Sequence, residues 1–136
     1  MKRSWLFGYQ LLIGLSDFTT GALLISEPEF TLRLMGLDVP PDALPFLSFI
    51  GAFVLSVGMA CLYGAFLTME SHAEAKLQMV WLLTAMIRSS VAIFVCGRIL
   101  AGTLESGWLA VAFCDGACAL IQAIGLRKGW LADAAH

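Results

Sequence analysis

Apolar residues in this chain gather into four long runs separated by short polar stretches. Each run is long enough to cross a bilayer as a helix, which takes roughly 20 residues. The windows extend from about Ser4 to Ser26, Ala43 to Met69, Leu77 to Gly97 and Ser106 to Leu126. The second contains no charged residue, the third only Arg88 and the fourth only Asp115, while Asp17 interrupts the first. In lipid, backbone polar groups must be satisfied within the spanning segment, so the runs are predicted to be helices. The expected fold is all-α: an integral membrane, antiparallel four-helix transmembrane bundle forming a single domain over residues 1–136.

The connections refine this. Met69–Lys76 and Ala101–Ser106 are short and predict antiparallel neighbours. The first connection, Glu27–Asp42, is longer. Phe30, Leu34 and Leu37 recur there at helical spacing, with Pro28 near the start and Pro40-Pro41 after the end. That pattern predicts a short amphipathic helix lying in the membrane interface.

Composition agrees with lipid as the solvent. Of the 136 residues, 60% are hydrophobic and 13% charged. Soluble domains carry about 45–50% and about 25% respectively, and a small domain has too little interior to hide that much apolar surface. The net charge of -2 gives no field for nucleic acid, and none is expected as a partner. Lys2, Arg3, Lys76, Arg127 and Lys128 fall on one side of the predicted topology, with Arg33 and Arg98 on the other. The positive-inside bias then puts both termini in the cytoplasm. Trp5, Trp81 and Trp130 lie near the cytoplasmic ends of their spans and Trp108 at the opposite end, so all four are expected as interfacial anchors. Lys2 and Arg3 ahead of an apolar run resemble a signal peptide, but Asp17 breaks the run and no A-x-A site follows, so the segment is expected to stay as the first helix.

Cys61, Cys96, Cys114 and Cys118 all sit inside apolar runs and are expected as small packing residues. His72 lies in a loop and His136 at the C-terminus, which argues against a haem held between spans. Neither a metal nor another cofactor is expected.

The intramembrane charges carry the chemistry. At 1.5 Å per residue, Arg88, Asp115 and Asp17 all come out roughly 17–20 Å from the cytoplasmic ends of their spans. A charge at the bilayer centre costs about 2.5–3.5 kcal/mol on the insertion scale, so the three are expected to face inward and pair. Gln10, Gly14, Asp17 and Gly21 form one stripe of polar and small residues; Ala112, Asp115, Cys118 and Gln122 form another, and Thr84, Arg88 and Ala92 a third. Gly51, Gly58 and Ala65 repeat at heptad spacing on the second span, a pattern that lets helix backbones approach closely. Two readings follow. Arg88 and Asp115 form an ion pair that fixes helix register, with Asp17 beside them. Or Asp17, Arg88 and Asp115, lined further by Gln10, Thr84 and Gln122, form a pocket for the head group of a lipophilic ligand, quinone or lipid.

The chain also resembles the DoxX-like small four-helix proteins of bacterial inner membranes. The resemblance is carried by GLSDFTTGALLISEP (Gly14–Pro28), by LMGLDVPPD (Leu34–Asp42), by the Gly-rich FIGAFVLSVGMACLYGAF (Phe49–Phe66), and by an Arg and an Asp in the third and fourth spans, Arg88 and Asp115. It implies a bacterial inner-membrane location and a non-enzymatic accessory or assembly role in a respiratory or redox complex, with a larger membrane complex or a second copy as partner. Beside it stand a binding or transport role for a small lipophilic ligand and, more remotely, a membrane isomerase. The pairing of acids with aromatics in four-helix membrane isomerases finds no residue-by-residue match here.

Overall fold

The computed structural model describes residues 3–133, and those residues fold entirely as helices, turns and loops, with no strand among them. Lys2 and His136 lie outside the described residues. Four helices are long: α1 (Arg3–Ser26), α3 (Leu44–Leu67), α4 (Glu74–Leu100) and α5 (Leu109–Arg127). Two are short, α2 (Pro28–Leu34) and α6 (Trp130–Asp133). Residues 41–67, 74–100 and 106–127 form three helical segments long and apolar enough to cross a membrane. The molecule is thus a helical protein of membrane type. α1 matches them in length at 24 residues, but Gln10, Ser16, Asp17, Thr19 and Thr20 dilute its apolar character.

Proline and glycine punctuate the connections. The residue before a proline is pushed out of helical geometry, and Glu27 duly separates α1 from α2 with φ −138 and ψ 62. Pro28 then occupies the first turn of α2, where a missing N–H costs nothing. α2 stops at Gly36, whose φ of 70 is left-handed. There the Gly36 N–H donates to Arg33 O and the Leu37 N–H to Leu32 O, closing a Schellman cap. The cap folds Leu37 back onto Leu32, and both are buried with Leu47 in one apolar cluster flanked by Trp108. Leu37 is buried, while Phe30 and Leu34 point outward from the protein. The spacing that suggested a continuous helix through Leu37 is interrupted by the left-handed glycine.

The long helices pack most closely in two pairs, α1 with α3 and α4 with α5, and α3 also touches α4. The α1–α3 pair is a contact between glycine faces. A β-carbon on Gly14 would meet the Leu62 backbone, one on Gly21 would meet Leu55 and Gly51, and one on Gly58 would meet Phe18 and Asp17. These contacts share one antiparallel register, in which Gly51 of the heptad stripe meets Gly21 and Gly58 meets the Asp17–Phe18 backbone. The α4–α5 pair is tied by side chains instead. Trp81 lies against Gly125, Thr84 against Gln122 and Arg88 against Asp115.

Apolar clusters close both ends. Leu6, Leu67, Leu77, Trp81 and Leu131 fill the end where α1 begins, and Leu32, Leu37 and Leu47 fill the other. Trp81 belongs to this first core and is fully buried, which corrects its expected place as an interfacial anchor. Gly125 on α5 leaves room for the indole that any side chain would occupy. Trp5 is exposed, as an anchor would be, while Trp108 and Trp130 are half-buried.

Candidate functional site

Two turns into the interior from that first cluster the sequence places three polar side chains on three helices, and the fold joins them. Arg88 is 4% exposed. Its Nη1 donates to Asp115 Oδ1 at 2.6 Å, and its Nη2 donates to Asp17 Oδ2. The two carboxylates are less enclosed, at 20% for Asp17 and 18% for Asp115. Each spends one oxygen on Arg88. The same register that packs Gly58 against the Asp17 backbone sets the height of Asp17 opposite α4.

One guanidinium faces two carboxylates, so the fully ionised cluster holds one negative charge in excess. In a medium of low dielectric constant both the attraction and the excess are magnified compared with water. A single Arg neutralises one of its partners; the other is balanced only by a proton or a further cation.

A second polar layer lies one to two helical turns, roughly 6–10 Å, nearer the start of α1. Gln10 and Gln122 are both fully buried there, with Thr84 at 1%. Gln122 Nε2 donates to Thr84 Oγ1 at 2.9 Å, and Thr84 Oγ1 donates to Val80 O at 2.7 Å. The remaining polar atoms have no partner: both carboxamide atoms of Gln10, Oε1 of Gln122 and the indole Nε1 of Trp81. Arg88 Nε is unpartnered as well. Buried polar atoms in native proteins nearly always find a hydrogen bond, so such a concentration in one region is unusual.

The three residues of the predicted cluster thus meet directly, while Gln10, Thr84 and Gln122 form a separate layer rather than a lining around it. Three neighbours were not singled out from the sequence. The buried Cys61 thiol lies beside the Arg88 guanidinium. The Tyr9 hydroxyl donates to Cys118 O at 3.4 Å, and the Tyr9 ring tilts against Trp81 with centroids 5.5 Å apart. A signal existed for Trp81, which shares the helical face of Thr84 and Arg88, and for Cys61, which continues the stripe of Gly58 and Ala65. Cys118 is buried on the inner face of α5, whereas Cys96 and Cys114 are exposed on outer faces. Among the described residues no group of His, Cys, Asp and Glu is arranged to hold a metal ion.

No protein-family model, curated protein or solved structure matches this chain.

Proposed function

We propose that this chain is a non-enzymatic, multi-pass protein of the bacterial inner membrane that binds the polar head of a small lipophilic molecule, a quinone or a lipid. In this reading α1 is the fourth span of a four-helix transmembrane bundle, with both termini cytoplasmic, in keeping with the resemblance to the DoxX-like proteins. One observation carries the ligand: the unpartnered buried atoms of Gln10, Trp81, Gln122 and Arg88 beside a cluster with unmatched charge. Each such atom costs about 1–3 kcal/mol when left without a partner. A head group bearing both donors and acceptors supplies those partners.

The binding reading is favoured over a membrane isomerase because both carboxylates are tied to Arg88. A general acid or base must be free to move a proton at a reacting atom. The test is native mass spectrometry after extraction in mild detergent. A retained lipophilic molecule, lost in Asp17→Asn and Asp115→Asn, supports the reading; equal retention in both variants removes it.

A second reading, an accessory or assembly subunit, draws on the outer surface. Phe46, Phe49 and Phe53 line the face of α3 opposite its glycines, with the Phe49 and Phe53 rings edge to face. Such a ridge suits a neighbouring helix as well as it suits lipid. Co-purification of a larger membrane protein in fixed stoichiometry supports this role, and a lone species after mild extraction counts against it.

A further inference from the structure

Among the described residues of the four long helices, α1 packs against α3, α3 against α4, and α4 against α5, but α1 and α5 make no close backbone approach. The helices therefore form an open arc whose two ends face each other across a seam. Side chains bridge it: Tyr9 of α1 donates across to Cys118 O of α5, and Arg88 reaches from behind to Asp17 on one side and Asp115 on the other. Apolar clusters occupy the two ends of the helices, and between them Asp17 and Asp115, one on each side of the seam, are both partly exposed.

What the seam presents is specific. Arg88 is buried at the back, with its Nε unpartnered. In front stand Asp17 and Asp115, each partly exposed. Arg88 holds Asp17 Oδ2 and Asp115 Oδ1, which leaves Asp17 Oδ1 and Asp115 Oδ2 as acceptors not sealed inside the protein. A molecule arriving from the bilayer meets the two carboxylate oxygens that Arg88 leaves free, in a cluster that needs one more positive charge, a proton or a cation, to be neutral.

We propose that the seam between α1 and α5 is a lateral binding site for cationic amphiphiles, molecules with a protonated amine head and an alkyl tail. An ammonium group brings the missing positive charge and donates to both free oxygens. Its tail stays among the acyl chains, so no enclosed cavity is needed. An anionic head is repelled, and a neutral hydroxyl leaves the charge unmatched. The inference rests on the charged cluster being a ligand site and concerns only the group that Asp17 and Asp115 meet, since an ammonium donates and does not partner the N–H groups of Arg88 Nε and Trp81 Nε1.

The test uses the whole chain in phosphatidylcholine nanodiscs, titrated calorimetrically with decylammonium, decanol or decyl sulfate, with empty nanodiscs as the reference. Saturable 1:1 binding of decylammonium is expected, at least tenfold tighter than decanol, with none for decyl sulfate. Asp17→Asn and Asp115→Asn should each weaken decylammonium at least tenfold. Each leaves a neutral Arg–Asp pair, so both should fold, and the charge selectivity of the unmodified protein decides the matter even if they do not. Decanol binding as tightly as decylammonium, or decylammonium indifferent to both substitutions, overturns the proposal. A neutral quinone or lipid retained in native mass spectrometry, with no decylammonium binding, overturns this inference alone and leaves the broader binding function standing.

Discussion

Gly21 of α1 and Gly51 of α3 meet backbone to backbone: a β-carbon on Gly21 would stand 2.8 Å from the Gly51 carbonyl oxygen, and one on Gly51 would stand 2.9 Å from that of Gly21. Two helices approach this closely only where neither carries a side chain. In lipid, where the hydrophobic effect does not drive helices together, such close packing is a main source of their association.

Gly21→Leu should therefore separate α1 from α3 and destabilise the protein by about 1–3 kcal/mol, the usual range for overpacking a tight contact. Gly8→Leu, where an added β-carbon would meet nothing within 4 Å, should leave stability unchanged or slightly raised. Unfolding in mixed detergent–SDS micelles, followed by helicity, measures both.

The boundaries of the helices were legible because run length and charge-free composition speak directly of lipid. Expected spans of 4–26, 43–69, 77–97 and 106–126 compare with observed helices of 3–26, 44–67, 74–100 and 109–127. Pairing was not legible. The heptad glycines of α3 announced a close contact but not its partner, because Gly14 and Gly21 read equally well as part of the polar stripe with Asp17. Leu37 was assigned to a helix that Gly36 ends, and Trp81 to a headgroup layer, since position along a span says nothing about which way a side chain turns. The meeting of Asp17, Arg88 and Asp115 was legible from depth alone: charges at one level in lipid have few other solutions.

Arg88→Met should be far more damaging than removal of the whole cluster. Taking the guanidinium away leaves two partly buried carboxylates without their counter-charge, a change worth up to about 3–5 kcal/mol when a buried pair loses one member. The triple variant Asp17→Asn, Arg88→Met, Asp115→Asn should recover most of that loss. Equal instability of the single and triple variants in the same micellar assay would mean that the cluster does not act through charge.

Gln10 separates structure from function. Both its carboxamide atoms are buried without partners, so Gln10→Met removes a desolvated group of similar size. Stability should rise by about 1 kcal/mol, while retention of a lipophilic molecule, on the proposed binding role, should fall. A loss of stability would show that the carboxamide is paired in the folded membrane protein.

Orientation is open to chemical labelling. With Cys96 and Cys114 replaced by Ser, Thr103→Cys in the α4–α5 connection should react with an impermeant maleimide on intact cells. Ser71→Cys in the α3–α4 connection should react only after permeabilisation. The reverse pattern would place the termini outside.

The position of the charged cluster between the leaflets is most directly tested by nitroxide depth measurement. Cys114 and Ser16 are exposed residues next to Asp115 and Asp17, and Ser90 is an exposed residue one position beyond the neighbour of Arg88. Spin labels placed singly at each in lipid nanodiscs should show oxygen accessibility far above that of a nickel chelate, close to the bilayer-centre limit and alike at the three sites. A label at Thr103 should show the opposite balance. Nickel accessibility at Cys114, Ser16 and Ser90 matching that at Thr103 would contradict a cluster buried at mid-membrane depth.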